Sequence, residues 1–238
     1  MRRTAVPIRV LLADDEAMIR AGVRAILAAD PAIDVVAEAD DGRAAVDLTH
    51  RHHPDVALLD IRMPRMDGLA AAAEIRRTAP DTAVIILTTF SEDDYIGRAL
   101  AGGASGFLLK SGDPRELLTG VHAVADGAAY LSPPIAHRVI TRLHGDTRLT
   151  RGARARRRAD TLTARERQVL ALIGAGHPNA EIARRLHIVE GTVKAYVSAI
   201  LTRLDVRNRV QAAILAHEAG LVDVTADPTD DTAGGARP

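Results

Sequence analysis

The stretch Val56–Leu69, "VALLDIRMPRMDGL", decides the fold of the first half of the chain. It begins with an apolar run that stops at Asp60, and a loop containing Pro64 and Gly68 follows. A short apolar run bounded by turn residues predicts a strand buried on both faces, as in a parallel sheet. Ligands bind at the carboxyl ends of such strands. Asp60 is therefore a candidate site residue.

Four similar runs flank this strand and alternate with amphipathic helical patterns. We predict strands over Ile8–Ala13, Val35–Ala37, Val56–Leu59, Val84–Leu87 and Gly106–Leu109. The helical patterns cover Glu16–Ala29, Arg43–His53, Leu69–Thr78, Asp93–Ala101 and Pro114–Asp126. Strands alternating with helices indicate an α/β fold, a doubly wound five-stranded parallel sheet.

Polar side chains stand where four of these strands end. Asp14 and Asp15 follow the first strand, and the others are Asp60, Thr88 and Lys110. Three carboxylates at one sheet edge repel one another unless a cation lies between them, and Mg²⁺ prefers oxygen ligands. A lysine and a threonine hydroxyl beside them are suited to holding a phosphoryl group while a carboxylate attacks it.

The segments "LLADDE", "VALLDIRMPRMDGL", "VIILTTF" and "ALAGGASGFLLK" resemble the receiver domain of two-component response regulators, which has a flavodoxin-like fold. The resemblance implies that Asp60 is the phosphoacceptor. It implies that Mg²⁺ is bound by Asp14, Asp15, Asp60 and the carbonyl of Arg62. Three further residues would contact the phosphoryl group or switch with it: Thr88, Phe107 and Lys110.

Aspartate nucleophiles with Mg²⁺ also serve phosphohydrolases of the haloacid dehalogenase type. Those enzymes carry a second carboxylate two residues after the nucleophile, as acid/base. Here that position is Arg62. We therefore expect that the protein is not an enzyme, and hydrolysis remains a minor alternative.

Charge divides the chain into segments. Residues 1–130 carry 14 basic and 20 acidic residues (net −6), whereas 131–161 carry 8 and 2 (net +6). We assign residues 1–131 to the first domain, 132–161 to a linker helix and a basic tether, 162–222 to a second domain and 223–238 to a disordered tail. The start of the chain lacks the pattern of a signal peptide and cysteine is absent, so we expect a cytoplasmic protein with no membrane association.

The linker begins at Ser132-Pro133-Pro134, and Ile135–Leu143 predicts a short helix. The next stretch, Arg148–Asp160, has six arginines and few apolar residues. We interpret it as a solvated flexible tether, with sequence-independent contact to nucleic-acid phosphates as the alternative.

The second half predicts helices over Arg165–Ala175, Ala180–Leu186, Glu190–Leu204 and Arg207–Ala219. Two short helices joined by a tight turn, with a further helix behind, indicate a helix-turn-helix domain. Pro178 and Val189 precede the two helices of the turn motif and offer no capping oxygen, so we expect Asn179 to substitute at the first. The last helix carries an apolar side that is either core or a dimer surface.

The segments "LTARERQVLALIGAGHPNAEIARRL" and "GTVKAYVSAILTRLDVRNRVQAAILAHEAGLV" resemble the LuxR-type DNA-binding domain of NarL/FixJ response regulators. The resemblance implies that the helix from Glu190 enters the major groove. Its base-facing residues would be Lys194, Ala195 and Ser198. The residues nearer phosphates would be Thr192, Arg203 and Arg209.

Together the two resemblances predict a transcription regulator that a sensor histidine kinase phosphorylates on Asp60, that binds promoter DNA and that forms a homodimer when phosphorylated. The competing hypothesis is a regulator that binds DNA without phosphorylation, its acidic pocket serving structure alone.

Overall fold

The computed structural model describes residues 6–89, 102–136, 139 and 148–222. The first half is an α/β domain. Its strands are β1 (Ile8–Ala13), β2 (Ile33–Ala39), β3 (Val56–Asp60), β4 (Ala83–Thr88), β5 (Gly106–Leu109) and β6 (Tyr130–Leu131). Its helices are α1 (Ala17–Leu27), α2 (Gly42–His52), α3 (Gly68–Thr78) and α4 (Pro114–Ala125).

The strands form one parallel sheet in the order β2-β1-β3-β4-β5-β6. The order reverses direction between β1 and β3, so the carboxyl ends of these two strands flank the crevice where ligands bind in such sheets. Every residue of β3 is buried. Helices cover both faces, as the separate apolar clusters around Leu59 and Leu58 indicate.

The predicted doubly wound parallel sheet is confirmed, with one strand more than expected. The additional strand, β6, has two residues and pairs with β5 through Gly106 and Phe107. A pair of residues is too short to produce a periodic pattern. The predicted helix Asp93–Ala101, most of the predicted helix Ile135–Leu143 and the tail 223–238 lie outside the described residues.

The second half is helical. The helices are α5 (Arg148–Ala159), α6 (Ala164–Gly174), α7 (Asn179–Leu186), α8 (Glu190–Arg203) and α9 (Arg209–Glu218). They enclose an apolar cluster that contains Leu170, Ile182 and Val193, all fully buried. Helices α7 and α8 form the predicted helix-turn-helix, joined through His187 in the left-handed conformation (φ 53°).

The prediction of a flexible tether over Arg148–Asp160 is wrong for most of this stretch. Residues 148–159 form α5, whose Ala155 and Ala159 are 3% and 2% exposed and pack into the cluster of the second domain. The small side chains let the backbone of α5 approach α9 closely. This contact was not predicted, because the stretch is rich in arginine and has few apolar residues.

Asn179 does not substitute as a cap for α7, contrary to expectation. It is itself buried, its backbone N–H lies 3.4 Å from the carbonyl of Asp126, and its Oδ1 accepts a hydrogen bond from Arg209. Neither Pro178 nor Val189 makes a side-chain capping bond. The helix starts of the turn motif therefore lack the caps present at α6 and α9, where Thr163 and Asn208 accept backbone N–H groups.

The two domains are in contact. Val210 of α9 belongs to the same apolar cluster as the sheet, and Ile214 packs against it. The sequence did not decide whether the apolar side of the last helix is core or a dimer surface. In the structure the first domain covers part of this side. Among the residues described, each helix falls short of the length and apolarity that crossing a bilayer requires.

Candidate functional site

Lys110 bridges two carboxylates at the carboxyl edge of the sheet. Its Nζ lies 2.6 Å from Oδ2 of Asp14 and 3.0 Å from Oδ1 of Asp60. The lysine side chain is 5% exposed and that of Asp14 is fully buried. Lys110 directly follows β5, whose last residue, Leu109, is paired with Thr88 at the end of β4. The long lysine side chain therefore starts beside β4 and reaches the crevice between β1 and β3.

Burial and pairing set the ionisation of this cluster. Burial raises the pKa of the Asp60 carboxyl, and the hydrogen bond and charge of Lys110 offset only part of this effect. Burial alone would lower the pKa of Lys110, but its hydrogen bonds to Asp14 and Asp60 outweigh burial and raise it. Burial therefore opposes the ionised form of Asp60, and the charged Lys110 favours it.

The carboxylates fit a hard divalent cation. Oxygens of Asp14, Asp15 and Asp60 lie within 4.8 Å of one another. Oδ2 of Asp14 is fully buried and contacts Nζ of Lys110 through one lone pair, so its other lone pair is available to another ligand. Mg²⁺ takes such oxygen ligands while keeping several waters. Arg62, whose carbonyl was expected to take part, is exposed and lines the same crevice.

The crevice is a cavity of about 270 Å³. It brings together Asp15, Asp60, Arg62, Thr88 and Lys110, and also three residues that were not assigned a role from the sequence: Glu16, Ile61 and Thr89. Thr88 is 4% exposed, and Phe107 is fully buried in the apolar cluster behind the site. The cavity has room for a phosphoryl group and the waters of a hydrated cation.

Gly68 shapes the loop after Asp60. Its N–H donates to the carbonyl of Ile61 (2.9 Å), and a Cβ at this position would lie 1.8 Å from the carbonyl oxygen of Asp60. The loop is further held by Arg65, which has a positive φ (62°) and forms ion pairs with Asp40 and Asp41. These acidic partners follow β2, a relation that the sequence pattern did not reveal.

The second candidate site is α8, the second helix of the turn motif. Lys194, Ala195 and Ser198 are exposed, and Thr192 is half-buried. Lys194 and Ser198 line a cleft of about 490 Å³ whose opposite wall belongs to the first domain, including Arg76 and Asp81. In this arrangement the expected base-reading face of α8 is directed towards the first domain.

Arg203 ends α8 and links it to the start of α6. Its Nη1 lies 2.8 Å from Oε2 of Glu166, which also accepts from the backbone N–H and hydroxyl of Thr163 (2.8 Å each). The N–H and hydroxyl bonds from Thr163 and the charge of Arg203 lower the pKa of Glu166. Half of the Arg203 side chain remains exposed (45%).

Arg209 differs from its expected position near phosphates. It is 6% exposed; its Nη1 donates to Oδ1 of Asn179 (2.9 Å) and its Nη2 to the carbonyl of His177. Burial lowers the pKa of its guanidinium to about 10. Arg209 thus ties α9 to the start of α7 inside the protein, which a sequence pattern without burial information does not reveal.

Known families match both halves of the chain. The family of response regulator receiver domains matches residues 10–122, and the family of bacterial regulatory proteins called luxR matches residues 160–216. The chain is 39% identical to the transcriptional regulatory protein LiaR of Bacillus subtilis over 91% of this chain and 100% of that protein. It is 35% identical to the nitrate/nitrite response regulator protein NarL of Escherichia coli K12, over 89% and 96% of the respective chains.

Solved structures give the same result. The response regulator ChrA, from a heme-sensing two-component system, is 34% identical with a TM-score of 0.51, over 91% of this chain and 100% of that one. The receiver domain of the putative response regulator NarL from Mycobacterium tuberculosis is 41% identical with a TM-score of 0.51, over 52% of this chain and 99% of that one. The matched proteins are DNA-binding transcription regulators rather than enzymes. The chain therefore belongs to the two-component response regulators of the NarL type, which join a receiver domain to a LuxR-type DNA-binding domain.

Proposed function

We propose that this response regulator is controlled by phosphorylation of Asp60 by a sensor histidine kinase, and that phosphorylation releases its DNA-binding helix for promoter DNA. The observation that carries the proposal is the bridge from Lys110 to Asp60 and Asp14 in a cavity that opens at the sheet edge. The same charged group would contact the carboxylate before transfer and the phosphoryl oxygens after it. We further propose that the protein works in the cytoplasm.

In the transfer step, an Oδ atom of Asp60 attacks the phosphorus of the kinase's phosphohistidine. A new O–P bond forms, the P–N bond breaks, and the histidine nitrogen leaves with the electron pair. Asp14, Asp15, Asp60 and the carbonyl of Arg62 would hold Mg²⁺, which supplies charge neutralisation for the transferring phosphoryl group. Lys110 supplies a further positive charge, which its pairing with Asp14 and Asp60 maintains despite burial.

Phosphorylation would then be sensed by Thr88 and Phe107. Thr88 lines the cavity at the end of β4, so its hydroxyl can turn to a phosphoryl oxygen. Phe107 is fully buried on the adjacent strand, two residues before the Leu109 that pairs with Thr88, so its ring lies on the same face of the sheet and would respond to a movement of Thr88. A packed core responds to such a change by moving between discrete arrangements rather than by deforming gradually.

The output would be exposure of α8. Lys194 and Ser198 line the cleft between the domains, so separation of the domains would uncover them together with Ala195. In the major groove these three would face bases, and Thr192 and Arg203 would lie nearer phosphates. Arg209, which is buried, is omitted from this contact set. The α9 side chains Val210 and Ile214 would be freed at the same time to form a homodimer contact.

A footprinting titration with and without a small-molecule phosphodonor tests the proposal. We expect the phosphodonor to lower the concentration of wild-type protein needed for protection and to have no effect on the Asp60→Ala variant. Equal affinity of the wild-type protein in the two conditions would favour the second candidate, a regulator that binds DNA without phosphorylation. One observation favours that candidate. Lys110 already pairs with Asp14 and Asp60, so its charge could stabilise the acidic pocket without a phosphoryl group or a metal ion.

A further inference from the structure

Helix α5 is a strongly cationic helix fixed to the DNA-binding domain. It contains six arginines and no acidic residue. Near its start, Gly152 lies against the carbonyl of Glu218, and at its end Nη2 of Arg158 lies 3.5 Å from the carbonyl of Asp205. Because Glu218 is the last residue of α9 and Asp205 precedes its first residue, α5 runs antiparallel along α9. The helix is therefore a fixed platform for its charges.

Three exposed charges of this platform are not neutralised by the described part of the chain. Arg154, Arg156 and Arg157 are exposed, and none of them has an ion-pair partner within residues 6–89, 102–136, 139 and 148–222. Arg154 also faces Arg157 and Arg158 at spacings of three and four residues, where like charges destabilise a helix. Packing of Ala155 and Ala159 offsets this repulsion. A polyanion on the exposed side would relieve the repulsion.

The platform lies beside α8, the helix expected to read the bases. Arg158 contacts Asp205, two residues beyond the end of α8. From Lys194 to Arg203 the axis of α8 extends about 14 Å at 1.5 Å per residue. The major groove is about 12 Å wide. When Lys194 contacts base edges in the groove, the end of α8 would therefore lie near a phosphate backbone that flanks it, and so would the adjoining end of α5.

We propose that α5 is a second DNA-binding element, in which Arg154, Arg156 and Arg157 contact phosphates beside the site read by α8. Arginine suits this role because its planar guanidinium binds phosphate through two parallel hydrogen bonds. The contact is independent of sequence and adds affinity without base preference. It also needs no opening of the domains, because these three side chains are exposed while Lys194 and Ser198 line the interdomain cleft.

The test measures binding of the full-length chain to a short DNA duplex of scrambled sequence over a series of salt concentrations, without phosphodonor. The variant is R154Q/R156Q/R157Q, in which glutamine keeps a helix propensity close to that of arginine. If each arginine contacts one phosphate, the slope of log affinity against log salt falls by about 3, since each contact contributes about 0.9. Circular dichroism verifies that the variant retains its helical content.

Two matched variants separate phosphate contact from a general change of charge. R51Q/R77Q/R115Q removes three exposed arginines from the receiver domain and should keep the wild-type slope. R154K/R156K/R157K keeps the charge on α5 and should change the slope by less than about 1. The proposal is overturned if the wild-type chain does not bind the duplex, if the α5 glutamine variant keeps the wild-type slope, or if the receiver variant loses as much.

Discussion

Replacement of Lys110 by methionine should strengthen binding of Mg²⁺ to the receiver domain. The lysine Nζ lies 2.6 Å from Asp14 and 3.0 Å from Asp60, on oxygens that a metal ion would share. Since Mg²⁺ lies about 2.1 Å from its oxygen ligands, the ammonium and the ion would be about 4 Å apart. Methionine fills a similar length of the pocket without the charge.

The size of the effect follows from Coulomb's law. A double and a single positive charge about 4 Å apart repel each other by about 2 kcal/mol even at the dielectric constant of water. Each 1.4 kcal/mol corresponds to a factor of ten in affinity, so Lys110→Met should bind Mg²⁺ about 30-fold more tightly. A lower local dielectric constant in this buried pocket would increase the gain.

Calorimetric titration of the unphosphorylated protein with Mg²⁺ at fixed ionic strength measures this effect, and the absence of tryptophan from the chain makes heat a better signal than fluorescence. Lys194→Met is the matched control, because it removes the chain's other lysine from the DNA-binding domain and should leave Mg²⁺ affinity unchanged. Equal or weaker Mg²⁺ binding by Lys110→Met would refute the assignment of the shared oxygens to a metal site.

Two further predictions concern the domain contact and the DNA-binding core. Gly127→Ala should raise the DNA affinity of the unphosphorylated chain in an anisotropy titration, because a Cβ there would lie 2.2 Å from Nδ2 of Asn179 across the domain contact. Gly176→Ala has a similar positive φ but open space around it, so it should not change DNA affinity; equal effects would contradict an interface origin. Glu166→Ala should lower the free energy of unfolding by about 1 to 2 kcal/mol in urea at pH 7, because it removes the acceptor of the Thr163 N–H in the capping box and the ion-pair partner of the half-exposed Arg203. The pKa of Glu166 is lowered in the folded state, so the loss of unfolding free energy in the variant should be complete above the pKa that Glu166 has in the unfolded chain. This loss should shrink as the pH falls through the folded-state pKa. A loss that does not change with pH would contradict the ion pair.

The sheet and the meeting of Asp14, Asp60 and Lys110 at its edge could be predicted because their signals are local. A carboxylate directly follows β1 and another ends β3, and parallel strands bring such ends to one edge. The side chains of Asp14, Asp60 and Lys110 therefore meet, although their residues are far apart in sequence. No knowledge of packing between helices was needed for this inference.

The errors arose where packing between segments decides the structure. The run of arginines in α5 has the composition of a solvated tether, yet Ala155 and Ala159 give it a narrow apolar edge that α9 covers. Arg209 has the residue type of a phosphate contact, but Asn179 and the His177 carbonyl hold it inside the protein. Both outcomes depend on the position of a partner segment, which periodicity within one segment does not specify.

The central claim is that Asp60 accepts a phosphoryl group, and intact mass spectrometry after incubation with a small-molecule phosphodonor and Mg²⁺ tests it most directly. We predict that the wild-type chain gains the mass of one phosphoryl group, that peptide mapping assigns this mass to the segment containing Asp60, and that folded Asp60→Ala protein gains none. Labelling of Asp60→Ala at the wild-type rate, or a wild-type chain that stays unlabelled, would contradict the account.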